Sequence, residues 1–492
     1  MLFNSALFGL FFAISLLPWH ILRISMPKNR QENEYKFPEK RLCLVVYLII
    51  ISLIFYGFWN YYYLILLIWI AIVDFFVARK VFASGTNRNR RYWLFLSLGN
   101  SLGILLFFKY GQFIAENWSI ISGIALGNAQ FWSQWLLPVG ISFYTFQSIS
   151  YVVDVYQGEL QPEKRFSSYL LFLSFFPQLV AGPIVTAKSF LPQIRRPLDF
   201  SRIPILFATF LILLGFFKKM VLADHLAEVS DLVFAHPLEM SSRSLWLGMF
   251  SYSLQIYCDF SGYTDIAQGA ALLFGFRLPE NFRMPYLSSG FSEFWTRWHI
   301  SLSQWLKKYL YIPLGGNRMG SLFTYRNLIL VMAIGGLWHG ASWNFVFWGL
   351  GHGSLLVMER WFGKRSLIPQ ASSLKPLKVV LTFLSVSLLW IFFRSANLED
   401  SLCYLQGLFA KKEGFFLPYR LEMKFVYCFI LLSFGHFLGN KIFKENKQLL
   451  KRFKEYQNSL GKLAFFAFVA VLSLVLIVLY SAESKPFVYF VF

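Results

Sequence analysis

Two histidines stand in stretches that are otherwise apolar enough to lie in a bilayer. His339 falls in "GGLWHGASWNFVFWGLGHG" (335–353), beside Gly340, with Trp343 and Asn344 about one turn on. His299 falls in "FSEFWTRWHISLSQWLKKYLYIPLGGNR" (291–318). An imidazole removed from water is held neutral and can accept a proton. It can take that proton from an alcohol while the alcohol attacks a thioester, a role worth about 10²–10⁴-fold in rate. There is no GxSxG elbow in the chain, so an acyl-serine intermediate has no local support. Direct transfer with a histidine base is the economical chemistry. The competing reading of each histidine is structural, a ring that hydrogen-bonds a neighbouring backbone carbonyl.

A third histidine, His352, closes the first stretch. On one continuous helix it would stand about 20 Å along the axis from His339 and roughly 140° around it. It would then be a structural residue near the inner membrane face, where Glu359, Arg360, Lys364 and Arg365 follow.

The elements around these residues are unusual. Gly336 and Gly340 form a small-xxx-small pair, and Gly335, Gly349, Gly351 and Gly353 add to it. Each glycine weakens a helix, so close approach of another backbone, or a break, is expected. In 291–318, Trp295, Trp298, Leu302, Trp305 and Tyr309 recur at three- and four-residue spacing as one aromatic stripe. Glu293 and Arg297 are spaced to pair. Lys307 and Lys308, followed by Pro313, Gly315 and Gly316, mark an interfacial or re-entrant helix rather than a span.

The whole chain is a membrane sequence. Of 492 residues, 57% are hydrophobic and only 14% charged, which excludes an ordinary soluble enzyme. Apolar runs of helix-spanning length recur at about 2–24, 42–57, 60–78, 93–115, 134–156, 167–183, 203–222, 244–273, 323–338, 341–361, 375–394, 423–440 and 463–480. The first is read as a retained span, not a signal peptide. Between about 140 and 355, Asp154, Asp259, Asp265, Glu293, Arg297 and the two histidines lie in or beside apolar sequence. Ionisable groups at that depth persist where they pair or line a polar cavity.

A net charge of +21 is no sign of nucleic acid here, because the basic residues cluster in short loops. "RISMPKNRQENEYKFPEKR" (23–41), "RKVFASGTNRNRR" (79–91) and "NKIFKENKQLLKRFKEYQNSLGK" (440–462) are placed inside by the positive-inside rule. Cys43, Cys258, Cys403 and Cys428 form no CxxC and read as free thiols, so no metal site is expected. No GxxxxGK[ST] is present, which argues against ATP-driven transport by this chain alone.

The blocks "ISFYTFQSISYVVDVYQGE", "FFPQLVAGPI", "YCDFSGYTDIAQGAALLFGFRLPENFRMPY", "FWTRWHISLSQWLKKYLYIPLGGNR" and "GGLWHGASWNFVFWGLGHG" resemble the membrane-bound O-acyltransferase family, in its order. The likeness is specific over about 140–355 and looser in the flanking helices 1–115 and 375–492. It is greatest to the bacterial branch of alginate O-acetylation. A relative that moves D-alanine onto teichoic acid shares less, and "YLYIPLGGNR" and the C-terminal "FVYFVF" follow the alginate branch. That branch usually carries a basic residue where Gln157 stands here, a departure of little expected consequence.

The resemblance implies an all-α polytopic fold, a single transmembrane domain of about 11–13 spans plus re-entrant or interfacial helices around a central tunnel. It implies His339 as the catalytic histidine and His299 as the second histidine of the tunnel. Asp259, Asp265, Arg297, Trp298, Trp343, Asn344, Lys307 and Lys308 are pocket or substrate-binding candidates. The expected donor is acetyl-CoA or another acyl thioester, with no bound cofactor. The expected partners are membrane lipid, a polysaccharide acceptor and a separate periplasmic acetyltransferase or esterase-like protein, in the bacterial inner membrane. D-alanyl transfer from a carrier protein is the alternative within the class. A transporter or a non-catalytic scaffold would use the same buried polar groups without thioester chemistry.

Overall fold

The computed structural model describes residues 3, 5–24, 39–127, 131–132, 134–196, 203–364, 372–445 and 487. The expected span at 463–480 and most of the basic segments 23–41 and 440–462 lie outside the described residues. Among the described residues the backbone is almost wholly helical, with an isolated bridge between Met240 and Phe415. Six helical stretches among the described residues are long and apolar enough to cross a membrane: Tyr61–Ala83, Asn87–Ser122, Ile205–Ala235, Ser321–His339, Lys375–Arg394 and Tyr419–Gly439. The chain is a multi-pass membrane protein. Other expected spans, such as Ile141–Tyr156 and Ser242–Leu273, are too short or too polar by that measure.

The chain divides into two compact units. The first comprises Met1–Ala208 with Ile266–Pro279. Its helices are α1 Ala6–Ile24, α2 Glu39–Gly57, α3 Leu64–Ala83, α4 Asn87–Leu105, α5 Gly111–Ser122, α6 Ile141–Tyr156, α7 Phe166–Ser174, α8 Phe176–Leu179 and α9 Ala187–Arg195. A π-helical turn, Leu106–Tyr110, joins α4 to α5. Helices α3, α4 and α6 pack together around Asp74, which is fully buried. Its carboxylate accepts from the Ser97 hydroxyl at 2.5 Å and from that of Ser148. Those serines are what make a buried carboxylate tolerable. Two arginines of the segment 79–91, Arg79 at the end of α3 and Arg90 in the first turn of α4, are more than topology signals. Arg79 donates to the Lys164 carbonyl at 2.6 Å and Arg90 to that of Tyr156. Arg195, the last residue of α9, pairs with Glu163 in the connection between α6 and α7.

The second unit comprises Thr209–Asp265 with Glu280–Phe492. Helix α10, Ile205–Phe216, enters it and passes through a π-helical turn, Phe217–Ala223, into α11, Asp224–Ala235. There follow α12 Ser242–Leu273, α13 Phe291–Arg297, α14 Ile300–Leu306, α15 Ser321–His339, α16 Trp343–Lys364, α17 Lys375–Arg394, α18 Leu398–Phe409 and α19 Tyr419–Glu445. Its core gathers Tyr252, Trp298, Trp348, Trp390 and Tyr404, all fully buried.

The segment 335–353 is two helices, as the separate runs at 323–338 and 341–361 predict, so the condition behind a separation of about 20 Å between His339 and His352 is not met. Helix α15 stops at His339, Gly340 is extended at φ −160°, and α16 starts at Trp343. The two helices form a tight hairpin. A Cβ on Gly336 would stand 2.1 Å from the Phe345 carbonyl oxygen, and one on Gly349 would stand 2.3 Å from that of Met332. So the glycines provide both the close approach and, at Gly340, the break. One expectation is corrected here: the aromatic stripe of 291–318 is not continuous. The chain breaks between α13 and α14, where His299 takes φ +42°.

Candidate active site

The break at His299 is held by the segment 281–283. The Arg283 N–H donates to the Arg297 carbonyl at 2.8 Å, and the Ile300 N–H donates to that of Asn281 at 2.9 Å. A non-glycine residue at positive φ is uncommon and persists where its surroundings fix it. The His299 side chain is fully buried. Its ring meets Phe260 edge-on with centroids 4.7 Å apart, and its Nδ1 lies 3.2 Å from Asn281 Oδ1. At the N-terminus of α13, Glu359 of α16 accepts from the Ser292 N–H at 2.7 Å and so fixes α13 against α16.

His339 is the last residue of α15 and is buried. Its ring lies 4.9 Å from Trp338, 5.2 Å from Trp348 and 5.2 Å from Phe393, centroid to centroid. The His299 and His339 rings are 6.5 Å apart. Two imidazoles thus share one aromatic cluster of the second unit, with the Trp338 ring 6.2 Å from His299 and 4.9 Å from His339. At that spacing a single reacting centre can sit within reach of both.

Residues 164–398 match the family model described as MBOAT, the membrane-bound O-acyltransferase family. The chain is 39% identical over 437 residues to a peptidoglycan O-acetyltransferase of Helicobacter pylori, covering 83% of this chain and 80% of that one. The chain belongs to the membrane-bound O-acyltransferase family. It is therefore an acyltransferase. It is also 42% identical over 358 residues to a probable alginate O-acetylase of Pseudomonas putida, covering 72% of each chain. To a teichoic acid D-alanyltransferase of Bacillus subtilis it is 29% identical over 265 residues, half of this chain.

The other candidates divide into those near the histidines and those elsewhere in this acyltransferase. Trp298 is buried against Trp390, ring centroids 5.0 Å apart, and stacks on Phe294. Arg297 pairs with Glu293 at 2.5 Å, as the spacing predicts. Lys307 is exposed on a π-helical turn, Lys307–Tyr311, and Lys308 lies 4.9 Å over the Tyr309 ring. Asn344 is buried, and its amide donates to the Ser395 carbonyl at 2.9 Å, which ties the hairpin to the end of α17. Trp343 is 51% exposed.

Asp259 and Asp265 form ion pairs with lysines of the α10–α11 turn. Lys219 Nζ lies 2.7 Å from Asp259 and 2.9 Å from Asp224, all three side chains buried. Lys218 Nζ lies 2.6 Å from Asp265. The Phe487 ring covers Lys219 at 4.9 Å and meets Tyr263 edge-on. The sequence signal for this cluster was "FFKKMVL", two lysines inside an apolar run.

His352 is not remote from His339. Its ring lies 4.8 Å from Trp348, the same indole that His339 touches, and 5.0 Å from Trp295. The continuous helix behind the 20 Å separation does not exist. Asn281, in "LPENFRMPY", had been given no role, although it holds the His299 break.

Proposed function

We propose that this acyltransferase moves an acetyl group from a cytoplasmic thioester, such as acetyl-CoA, to a hydroxyl of an extracytoplasmic polysaccharide or of a periplasmic transferase that passes the group on. The observation that carries the chemistry is the pair of buried imidazoles, His299 and His339, with rings 6.5 Å apart in one aromatic cluster. The acceptor oxygen attacks the thioester carbon and its proton passes to His339. The carbon–sulfur bond breaks, and the departing thiolate takes the proton back from the imidazolium. His299 positions or polarises the reacting groups. Lys307 and Lys308 meet the anionic donor, since their ammonium groups suit phosphate.

The acceptor class rests on the relatives. Two relatives, 39% and 42% identical, are named a peptidoglycan O-acetyltransferase and a probable alginate O-acetylase, and their matches extend over 72–83% of this chain. The D-alanyltransferase match is weaker and covers half of it. A bacterial inner membrane agrees with a cytoplasmic donor and an external polymer.

The test uses purified protein in proteoliposomes with labelled acetyl-CoA outside and a polysaccharide acceptor in the lumen. Label on the acceptor, or thioester hydrolysis that rises with the acceptor, supports the reading. Solute flux without thioester cleavage would replace it with transport.

A further inference from the structure

We propose that Asn281 is the positioning residue that fixes the tautomer of His299, keeping the ring proton on Nδ1 and the lone pair on Nε2. This rests on the acyl-transfer reading above and assigns a duty within the same site.

Asn281 is fully buried, and three groups converge on its side-chain oxygen. The Ser301 N–H donates to Oδ1 at 3.1 Å and the Ser301 hydroxyl at 2.9 Å, while His299 Nδ1 lies 3.2 Å away. A backbone N–H can only donate, so the atom facing Ser301 must be the carbonyl oxygen and not the amide nitrogen. That settles the imidazole. Opposite a carbonyl oxygen, Nδ1 has to carry the proton, and in a neutral ring the lone pair then sits on Nε2. Asn281 Nδ2 has no hydrogen-bond partner among the described residues, so the amide acts through its oxygen.

The backbone repeats the arrangement. The Asn281 carbonyl accepts from Ile300 at 2.9 Å, and Arg283 donates to Arg297 at 2.8 Å. One residue thus holds both the positive-φ turn that aims His299 and the proton position on its ring. A hydrogen bond to one ring nitrogen in this way sets which nitrogen meets the substrate. Nε2 is then the nitrogen that accepts a hydrogen bond from the attacking hydroxyl or its proton.

The test is a double-mutant cycle in the acetyl-CoA assay, with kcat, donor KM and the thermal midpoint measured for each protein. Asn281→Asp keeps an oxygen for all three donors and should hold kcat within about tenfold of wild type. Asn281→Leu removes it and should lower kcat by about a hundredfold with donor KM within about threefold. In a His299→Ala background, Asn281→Leu should cost nothing further, because the residue it positions is gone. If the leucine variant does not insert, Asn281→Ser, too short to span to Nδ1, replaces it in the cycle. Wild-type kcat in the folded Asn281→Leu protein, or full additivity with His299→Ala, would overturn the inference and leave acyl transfer standing. A wild-type protein without acetyl transfer would overturn the proposed function and this inference with it.

Discussion

The rings of His339 and His352 pack against one indole, Trp348, at centroid distances of 5.2 and 4.8 Å. The hairpin turn at Gly340–Ser342 makes this possible, by folding α16 back along α15. His352 is packed among Phe294, Trp295, Trp348 and Trp390, and neither of its ring nitrogens has a hydrogen-bond partner among the described residues. We expect its contribution to be shape, on the ground of these four ring contacts. A ring of similar size should serve, whereas a methyl group should leave a cavity beside Trp348. We expect His352→Phe to keep at least about half of the transfer rate, and His352→Ala to lose about 2–4 kcal/mol of stability. A folded His352→Phe protein as inactive as His339→Ala would show that the imidazole itself is needed.

His299 carries a different expectation. Its ring is 6.5 Å from His339 and its backbone is held at positive φ, and under the proposed function it acts on the reacting groups. His299→Ala should lower kcat by about a hundredfold. It should also lower the thermal midpoint, because alanine keeps the Cβ that strains a positive φ and gives up the packing of the ring, so folding and insertion are measured alongside. Unchanged kcat in the folded variant would reduce His299 to a packing residue.

Much of this site was legible in the sequence. Residue type and apolar context singled out both histidines, and the Glu293–Arg297 pair followed from helical spacing alone. The glycine run signalled a close approach. What spacing could not supply was the path of the backbone. A helical count carried through Gly340 put His352 about 20 Å away, and a stripe drawn through His299 hid the break there. Asn281 was invisible for the same reason. Its role depends on a segment far along the chain returning beside the break, and no local periodicity encodes that. The lysine–carboxylate cluster was half visible: Asp259 and Asp265 were picked out as buried charges, but their partners lay in a run read only as a span.

The α15–α16 hairpin should be intolerant of a single methyl group. Gly336 faces the Phe345 carbonyl and Gly349 that of Met332, each too close to admit a Cβ. Gly349→Ala should therefore destabilise the folded protein by about 1–3 kcal/mol through overpacking. It should also lower transfer, by shifting Trp348 beside His339. Thermal unfolding in detergent reads the first effect and the acetyl-transfer assay the second. A variant unchanged in both would mean that the helices are farther apart than described.

Lys307 and Lys308 test where the donor arrives. If they meet donor phosphates, Lys307→Ala combined with Lys308→Ala should raise the KM for acetyl-CoA by about tenfold, with kcat little changed. The same protein should show weaker salt dependence of KM, because fewer charge contacts remain to be screened. An unchanged KM would leave these lysines as headgroup and topology signals.

The base assignment is the central claim, and His339→Gln tests it most directly, because glutamine keeps much of the bulk without a nitrogen that can take up the proton. Acetyl transfer from labelled acetyl-CoA is measured for wild type and variant in proteoliposomes, alongside membrane insertion and the thermal midpoint. The account predicts a correctly inserted variant whose rate is lower by about 10²–10⁴-fold. A folded His339→Gln protein that keeps more than about a tenth of the wild-type rate would contradict it.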